Sequence, residues 1–258
     1  MSLYVETSGS GAPLVLIHGW GMHGEVWSMV RDALAGEYAV HVVDLPGMGY
    51  SPPCSPYDLR QLSREVLAAM PDEAAVCGWS LGGQVAMQMA LDQPGRINRL
   101  ILVGTTPCFV NRTDWQCGVL PDVFASFSAQ VEADYYPTLT RFLGLQAMGG
   151  DATRQMVRDL KVRFVARPGP APAVMQQALG ILLETDLRAR MGEFGMPVLL
   201  LHGDRDMLAP VGAAQWMAEQ IPQARLAVIP GASHAPFLSH PGRFVSELQA
   251  FLEPVHAG

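Results

Sequence analysis

In Gly78-Trp79-Ser80-Leu81-Gly82 a serine stands between glycines, after the apolar run Ala74-Ala75-Val76-Cys77 and before Gln84-Val85-Ala86-Met87-Gln88-Met89-Ala90. The pattern predicts a strand that turns tightly into a helix. Such a turn strains its middle residue and lifts that side chain clear of the sheet. The flanking glycines fit because bulkier residues would clash where strand and helix meet. A hydroxyl held there, beside the N–H groups of a helix N-terminus, suits a nucleophile. The same five residues also suit a plain small-residue turn that packs a helix on a sheet, so further residues must decide.

A serine hydroxyl attacks only when a base takes its proton, and the base needs a partner that fixes its tautomer. The candidate base is His234, in Pro230-Gly231-Ala232-Ser233-His234-Ala235-Pro236, just after the last predicted strand. His18 and His202 each precede a glycine at a strand end and are expected to support turns. His41 lies within a strand, and His23, His240 and His256 lie on helices or a tail. The acid should end the preceding strand, where His202-Gly203-Asp204-Arg205-Asp206 offers two aspartates. Asp206, at the far end of that turn, is favoured; Asp204 would cap the turn or pair with Arg205. An acyl-transfer site also needs donors for a developing oxyanion. The expected pair is the backbone N–H of Leu81, at the helix start, and that of Trp20, in His18-Gly19-Trp20-Gly21. The Trp20 side chain would pack locally or wall the pocket. This chemistry requires no metal or organic cofactor.

The elements that must position these residues are legible as apolar runs alternating with helical patterns. Strands are predicted at Leu14–Ile17, Ala39–Val43, Ala74–Cys77, Leu100–Val103, Val198–Leu201 and Leu226–Ile229, with residues 1–8 as a possible antiparallel edge. Such uniformly apolar runs imply strands buried on both faces. Helices are predicted near 24–35, 57–69, 81–92, 211–220 and 240–252. The expected fold class is α/β, a doubly wound, mostly parallel sheet. In such a sheet Ser80, Asp206 and His234 share the carboxyl edge, where sites collect. Between about 107 and 190 the alternation stops. That stretch is expected to be a helical cap inserted after the sixth sheet position, which divides the chain into a core of 1–106 and 191–258 and a cap of 107–190.

The 258 residues, 49% hydrophobic and 16% charged, describe a globular chain able to bury a sizeable core. No basic and apolar leader opens the chain, and no apolar run approaches the ~20 residues of a membrane span. Cys54, Cys77, Cys108 and Cys117 lack metal-ligand spacing and read as free thiols in a reducing cytoplasm. A net charge of −7 argues against nucleic-acid binding. Residues 137–170 carry Arg141, Arg154, Arg158, Lys161, Arg163 and Arg167 against Asp151 and Asp159, a local +4. Arg154, Arg158 and Lys161 share one helical face, with Val157, Leu160 and Phe164 on the next. That face is either simply solvated or a landing surface for an acidic partner.

Taken together, His18-Gly19-Trp20-Gly21, Asp44-Leu45-Pro46-Gly47-Met48-Gly49-Tyr50-Ser51, the serine turn, Gly203-Asp204-Arg205-Asp206 and Gly231-Ala232-Ser233-His234 resemble the α/β-hydrolase superfamily. Thr106-Pro107-Cys108-Phe109, Arg141-Phe142-Leu143-Gly144-Leu145-Gln146-Ala147-Met148-Gly149 and His234-Ala235-Pro236-Phe237-Leu238-Ser239-His240-Pro241 resemble the pimeloyl-[acyl-carrier protein] methyl ester carboxylesterases of biotin synthesis. That resemblance implies hydrolysis of a methyl ester on a chain carried by acyl carrier protein. It implies Ser80 as nucleophile, Asp206 as acid and His234 as base, with Trp20, Leu81, Phe142 and Gln146 against substrate. Arg141, Arg154, Arg158 and Lys161 would dock the carrier, although Pro137 stands where the family can carry a further basic residue. A cytoplasmic monomer is expected. Within enzymes the alternative is a general short-chain esterase or another acyl hydrolase; outside them, a small-molecule receptor on the same fold.

Overall fold

Seven strands hydrogen-bond into one sheet: β1 (Val5–Ser8), β2 (Ala12–Ile17), β3 (Tyr38–Val43), β4 (Ala74–Trp79), β5 (Ile97–Val103), β6 (Val198–Gly203) and β7 (Ala224–Ile229). Their order is β1-β3-β2-β4-β5-β6-β7. The computed structural model describes residues 2–133, 162 and 167–253. Only β1 runs antiparallel, with Val5 opposite Val43; β2 through β7 are parallel to their neighbours. The chain order reverses about β2, and the central strands are the most apolar. All six residues of β4 and of β6 are buried. The expectation of two covered faces fails for β7, whose buried residues are only Ala227 and Ile229, because an edge strand has one flank in solvent.

The described helices are α1 (Ser28–Leu34), α2 (Leu59–Ala69), α3 (Leu81–Asp92), α4 (Pro121–Ala133), α5 (Pro172–Glu184), α6 (Val211–Gln220), α7 (Pro236–Ser239) and α8 (Pro241–Leu252). α2 begins where the Asp58 carboxylate accepts from Gln61 N at 2.8 Å, a side-chain cap for an otherwise orphaned donor. Its Leu62 and Val66 lie one turn apart on the buried face. α3 is different: every residue from Leu81 to Ala90 is buried. A helix apolar nearly all round must be wrapped by protein, and α3 lies under β2, β4 and β5. The predicted helix near 24–35 is a 3-10 turn, Gly24–Trp27, followed by α1.

The insertion leaves the sheet after β5, fifth both in the chain and across the sheet, one position earlier than the sequence suggested. The antiparallel edge expected from the first eight residues is β1. Within the insertion the described residues form α4 and α5 and no strand, only the isolated bridges Val110–Val119 and Arg112–Trp115. Among the described residues no helix is long and apolar enough to cross a membrane.

Candidate active site

Ser80 caps the N-terminus of α3 with φ 56° and ψ −118°. Among the described residues it is the one non-glycine with positive φ, a strain of roughly 1–3 kcal/mol that surrounding contacts must hold. They are dense. Ser80 N donates to Val103 O at 3.0 Å, and Ser80 O accepts from Gly83 N at 3.0 Å and from Thr105 Oγ1 at 2.7 Å. The glycines are sterically required: a Cβ on Gly78 would sit 2.2 Å from Gly82 O, and one on Gly82 would sit 2.5 Å from the carbonyl oxygens of Ile17 and His18. Strand β4, the start of α3 and the loop after β2 therefore meet at backbone contact.

His234 lies on the loop after β7 and Asp206 on the loop after β6. His234 Nδ1 is 2.9 Å from Asp206 Oδ2. The other carboxylate oxygen accepts from Leu208 N at 2.9 Å and Ala209 N at 3.0 Å. Burial alone would raise the Asp206 pKa, but the attraction and hydrogen bond of His234, with His202 and Ala209 N, hold it below the usual carboxylate value. An ionised Asp206 accepts, so Nδ1 carries the proton and Nε2 is left as the basic nitrogen. Asp204, the rejected alternative, accepts from Gly231 N at 2.7 Å. It ties the two loops together instead of pairing with Arg205. A Cβ on Gly203 would meet Ala232 O at 2.2 Å, so these loops pack backbone to backbone.

Ser80 and His234 face one cavity of about 160 Å³. Apart from the indoles of Trp20 and Trp79, the other described side chains on its wall are hydrocarbon: Phe109, Val119, Val123, Phe124, Phe127, Leu179, Leu182 and Leu208. Most come from α4 and α5, so the insertion roofs the site. Leu120, Val123, Phe124 and Phe127 recur at helical spacing on one face, from exposed Leu120 and Val123 to buried Phe124. Trp20 is held by its indole N–H, which donates to Met175 O in α5 at 3.1 Å, and by an edge-on contact with Phe127. Leu81 is fully buried at the head of α3. The loop carrying Trp20 reaches the serine closely: a Cβ on Gly19 would lie 3.1 Å from Ser80 Cβ.

Thus Ser80, Trp20, Leu81, Asp206 and His234 are brought to one edge of the sheet. Phe142, Gln146, Arg141, Arg154, Arg158 and Lys161 lie outside the described residues, as does Pro137. Arg167 corrects the charge argument for that region: it is buried, with its guanidinium on Asp44 and Glu6, and presents no charge for docking. Two contributors were missed in the sequence. Trp79 Nε1 donates to His234 O at 2.8 Å and so holds the histidine loop; its place beside Ser80 was the available signal. Gly104, at φ +48°, lets the chain pass where a Cβ would lie 2.6 Å from His234 O and 3.3 Å from Asp206 Oδ2. Among the described residues no group of three or more His, Cys, Asp or Glu could hold a metal ion.

A family model described as the alpha/beta hydrolase fold matches residues 12–241. A pimeloyl-[acyl-carrier protein] methyl ester esterase of Nitrosomonas europaea is 43% identical over 245 residues, 95% of this chain and 97% of that one. A protein of the same name from Aeromonas hydrophila is 42% identical over 254 residues, 98% of this chain and all of its own length. Among solved structures, an esterase of Exiguobacterium antarcticum superposes with a TM-score of 0.88 at 25% identity, covering 96% of this chain and 94% of its own. A bromoperoxidase of Bacillus anthracis gives 0.87 at 26%, covering 98% and 95%. The chain therefore belongs to the alpha/beta hydrolase fold family and, within it, to the family of the pimeloyl-[acyl-carrier protein] methyl ester esterases.

Proposed function

We propose that this protein is a serine carboxylesterase that hydrolyses the methyl ester of pimeloyl-[acyl-carrier protein], giving pimeloyl-[acyl-carrier protein] and methanol in biotin synthesis. The observation that carries the proposal is the buried His234–Asp206 pair, 2.9 Å apart, whose histidine faces an apolar cavity together with a serine in strained φ. His234 Nε2 takes the Ser80 proton as the hydroxyl attacks the ester carbonyl. The N–H groups of Leu81 and Trp20 bind the oxyanion. His234 then protonates the departing methoxide, and water cleaves the acyl-enzyme by the reverse proton route. Asp206 keeps the imidazole in the right tautomer and stabilises the imidazolium.

The family's substrate fits the hydrocarbon wall, which would hold a methylene chain and its neutral ester end. Phe142 and Gln146 would contact that chain, and Arg141, Arg154, Arg158 and Lys161 would meet the acidic carrier. Residues 107–190 would act as the cap. The four free cysteines fit a reducing cytoplasm, and a monomer suffices because one chain supplies every catalytic group.

The test compares pimeloyl-[acyl-carrier protein] methyl ester with p-nitrophenyl butyrate, for wild type and Ser80→Ala. Both activities should vanish in the variant while the fold persists; hydrolysis retained by pure Ser80→Ala protein overturns the mechanism. A wild type that cleaves the small ester and ignores the carrier-bound one is a general short-chain esterase, and the substrate assignment falls.

A further inference from the structure

His18 is fully buried at the end of β2. Leu45 N donates to its Nε2 at 2.9 Å, so the proton sits on Nδ1, which donates to Gly19 O at 2.8 Å. Burial, first among the causes and opposed by nearby Asp44, keeps the ring neutral by lowering its pKa to about 4. Gly19 C=O and Trp20 N–H belong to one planar trans peptide and point in opposite directions. Fixing the oxygen therefore fixes the direction of the Trp20 N–H.

Leu45 follows Asp44, and Asp44 is itself clamped. Its carboxylate accepts from Gly24 N at 2.6 Å and Tyr50 N at 2.9 Å, and both oxygens take Arg167 Nη1 at 2.8 Å. A Cβ on Gly49 would sit 2.2 Å from Asp44 Oδ2, so backbone walls the carboxylate closely. Arg167 also donates from Nη2 to Glu6 at 2.6 Å and lies over the rings of Tyr4 and Tyr50. It stands five residues before α5, the helix whose Met175 carbonyl holds the Trp20 indole. The insertion thus grips the Trp20 peptide from both sides, through the indole and through Arg167, Asp44, Leu45 and His18.

We infer that Arg167 is a positioning residue for the oxyanion-binding peptide, acting through Asp44, the Leu45 N–H and His18. This rests on the assignment of Trp20 N–H as an oxyanion donor. Removing Arg167 leaves Asp44 buried without its cation, and the strain passes to the backbone that orients His18. A donor misaimed by a fraction of an ångström weakens the transition state and leaves ground-state binding alone.

The experiment measures kcat and KM for p-nitrophenyl butyrate, and the Ki of an alkyl trifluoromethyl ketone whose adduct oxygen takes the same donors. Arg167→Met should lower kcat about 10- to 100-fold with KM within about twofold, and weaken the ketone by a similar factor. Arg167→Lys should recover part of both. Adding His18→Gln to Arg167→Met should cost little beyond the worse single change, because the two residues act in series. A natively folded Arg167→Met protein with wild-type kcat, or losses that multiply in the double variant, overturns the inference. If Arg167→Met does not fold, a folded Arg167→Lys variant with unchanged kcat and ketone affinity overturns it instead. Failure of the esterase reading is separate, since it appears as a wild type with no ester turnover.

Discussion

His18 and His202 are both fully buried, and each is pushed from the ordinary histidine value of 6.5 down to about 4. Burial is the first cause in both, against the pull of Asp44 on His18 and of Asp206 on His202. A folded-state pKa below the unfolded one means that the native protein binds fewer protons. Between pH 6.5 and pH 4 the unfolded chain takes up protons that the native state refuses, so stability falls as pH falls. The gap of about 2.5 pH units for each histidine, at about 1.4 kcal/mol per unit, gives roughly 3 kcal/mol each. Together they remove about 6 kcal/mol by pH 4, at a slope of a little over ~2 kcal/mol per pH unit in mid-window. A domain with a typical 5–15 kcal/mol of stability is then close to unfolding. Asp206 contributes outside this window: its pKa is depressed, so its stabilisation holds above pH 4 and is lost below. Urea unfolding followed by tryptophan fluorescence at pH 7, 6, 5 and 4.5 measures the slope. His202→Gln should roughly halve it, whatever that change does to stability at pH 7. A wild-type slope below about 1 kcal/mol per unit, or a slope unchanged in the variant, refutes the reasoning.

Two further outcomes follow from the site. Asp206→Asn should leave the fold intact and lower kcat on any ester by about 10⁴, because the amide favours the wrong imidazole tautomer; stopped assays on purified protein read this directly. Gly104→Ala puts a methyl 2.6 Å from His234 O at a positive φ, so it should displace the histidine loop. Overpacking and strain together should lower stability by about 2–4 kcal/mol and kcat by at least tenfold, read by calorimetry and ester turnover.

The sheet was legible because its strands are apolar throughout, and the predicted runs fall inside six of the seven strands. Their ends were not: β5 begins at Ile97, three residues before Leu100, since Ile97 and Arg99 pair with Ala74 and Ala75 around a bulge at Asn98, while the Asn98 and Arg99 side chains stay at least partly in solvent. α3 and α6 match the predicted 81–92 and 211–220, helped by Ser80 and Pro210 as clear starts. α7, only four residues long and opened by Pro236, is too short to leave a helical pattern in the sequence. Ser80, Asp206 and His234 were legible because each follows a strand at the same edge. Arg167 was misread as surface charge because nothing local marks its partners, Asp44 and Glu6, which are 123 and 161 residues away. Which side chains roof the cavity was equally hidden, since α4 is apolar enough to pack against the sheet, against α5 or over the serine.

The hydrocarbon wall around Ser80 separates the two sides of the reaction. An ester is neutral, whereas the acid it yields is an anion at neutral pH. Moving a carboxylate from water into apolar surroundings costs several kcal/mol that an ester escapes. The chamber that admits the substrate is therefore hostile to the product, and hydrolysis itself supplies the force that expels the acyl chain. The chemistry and the eviction become one event, which gives turnover a direction.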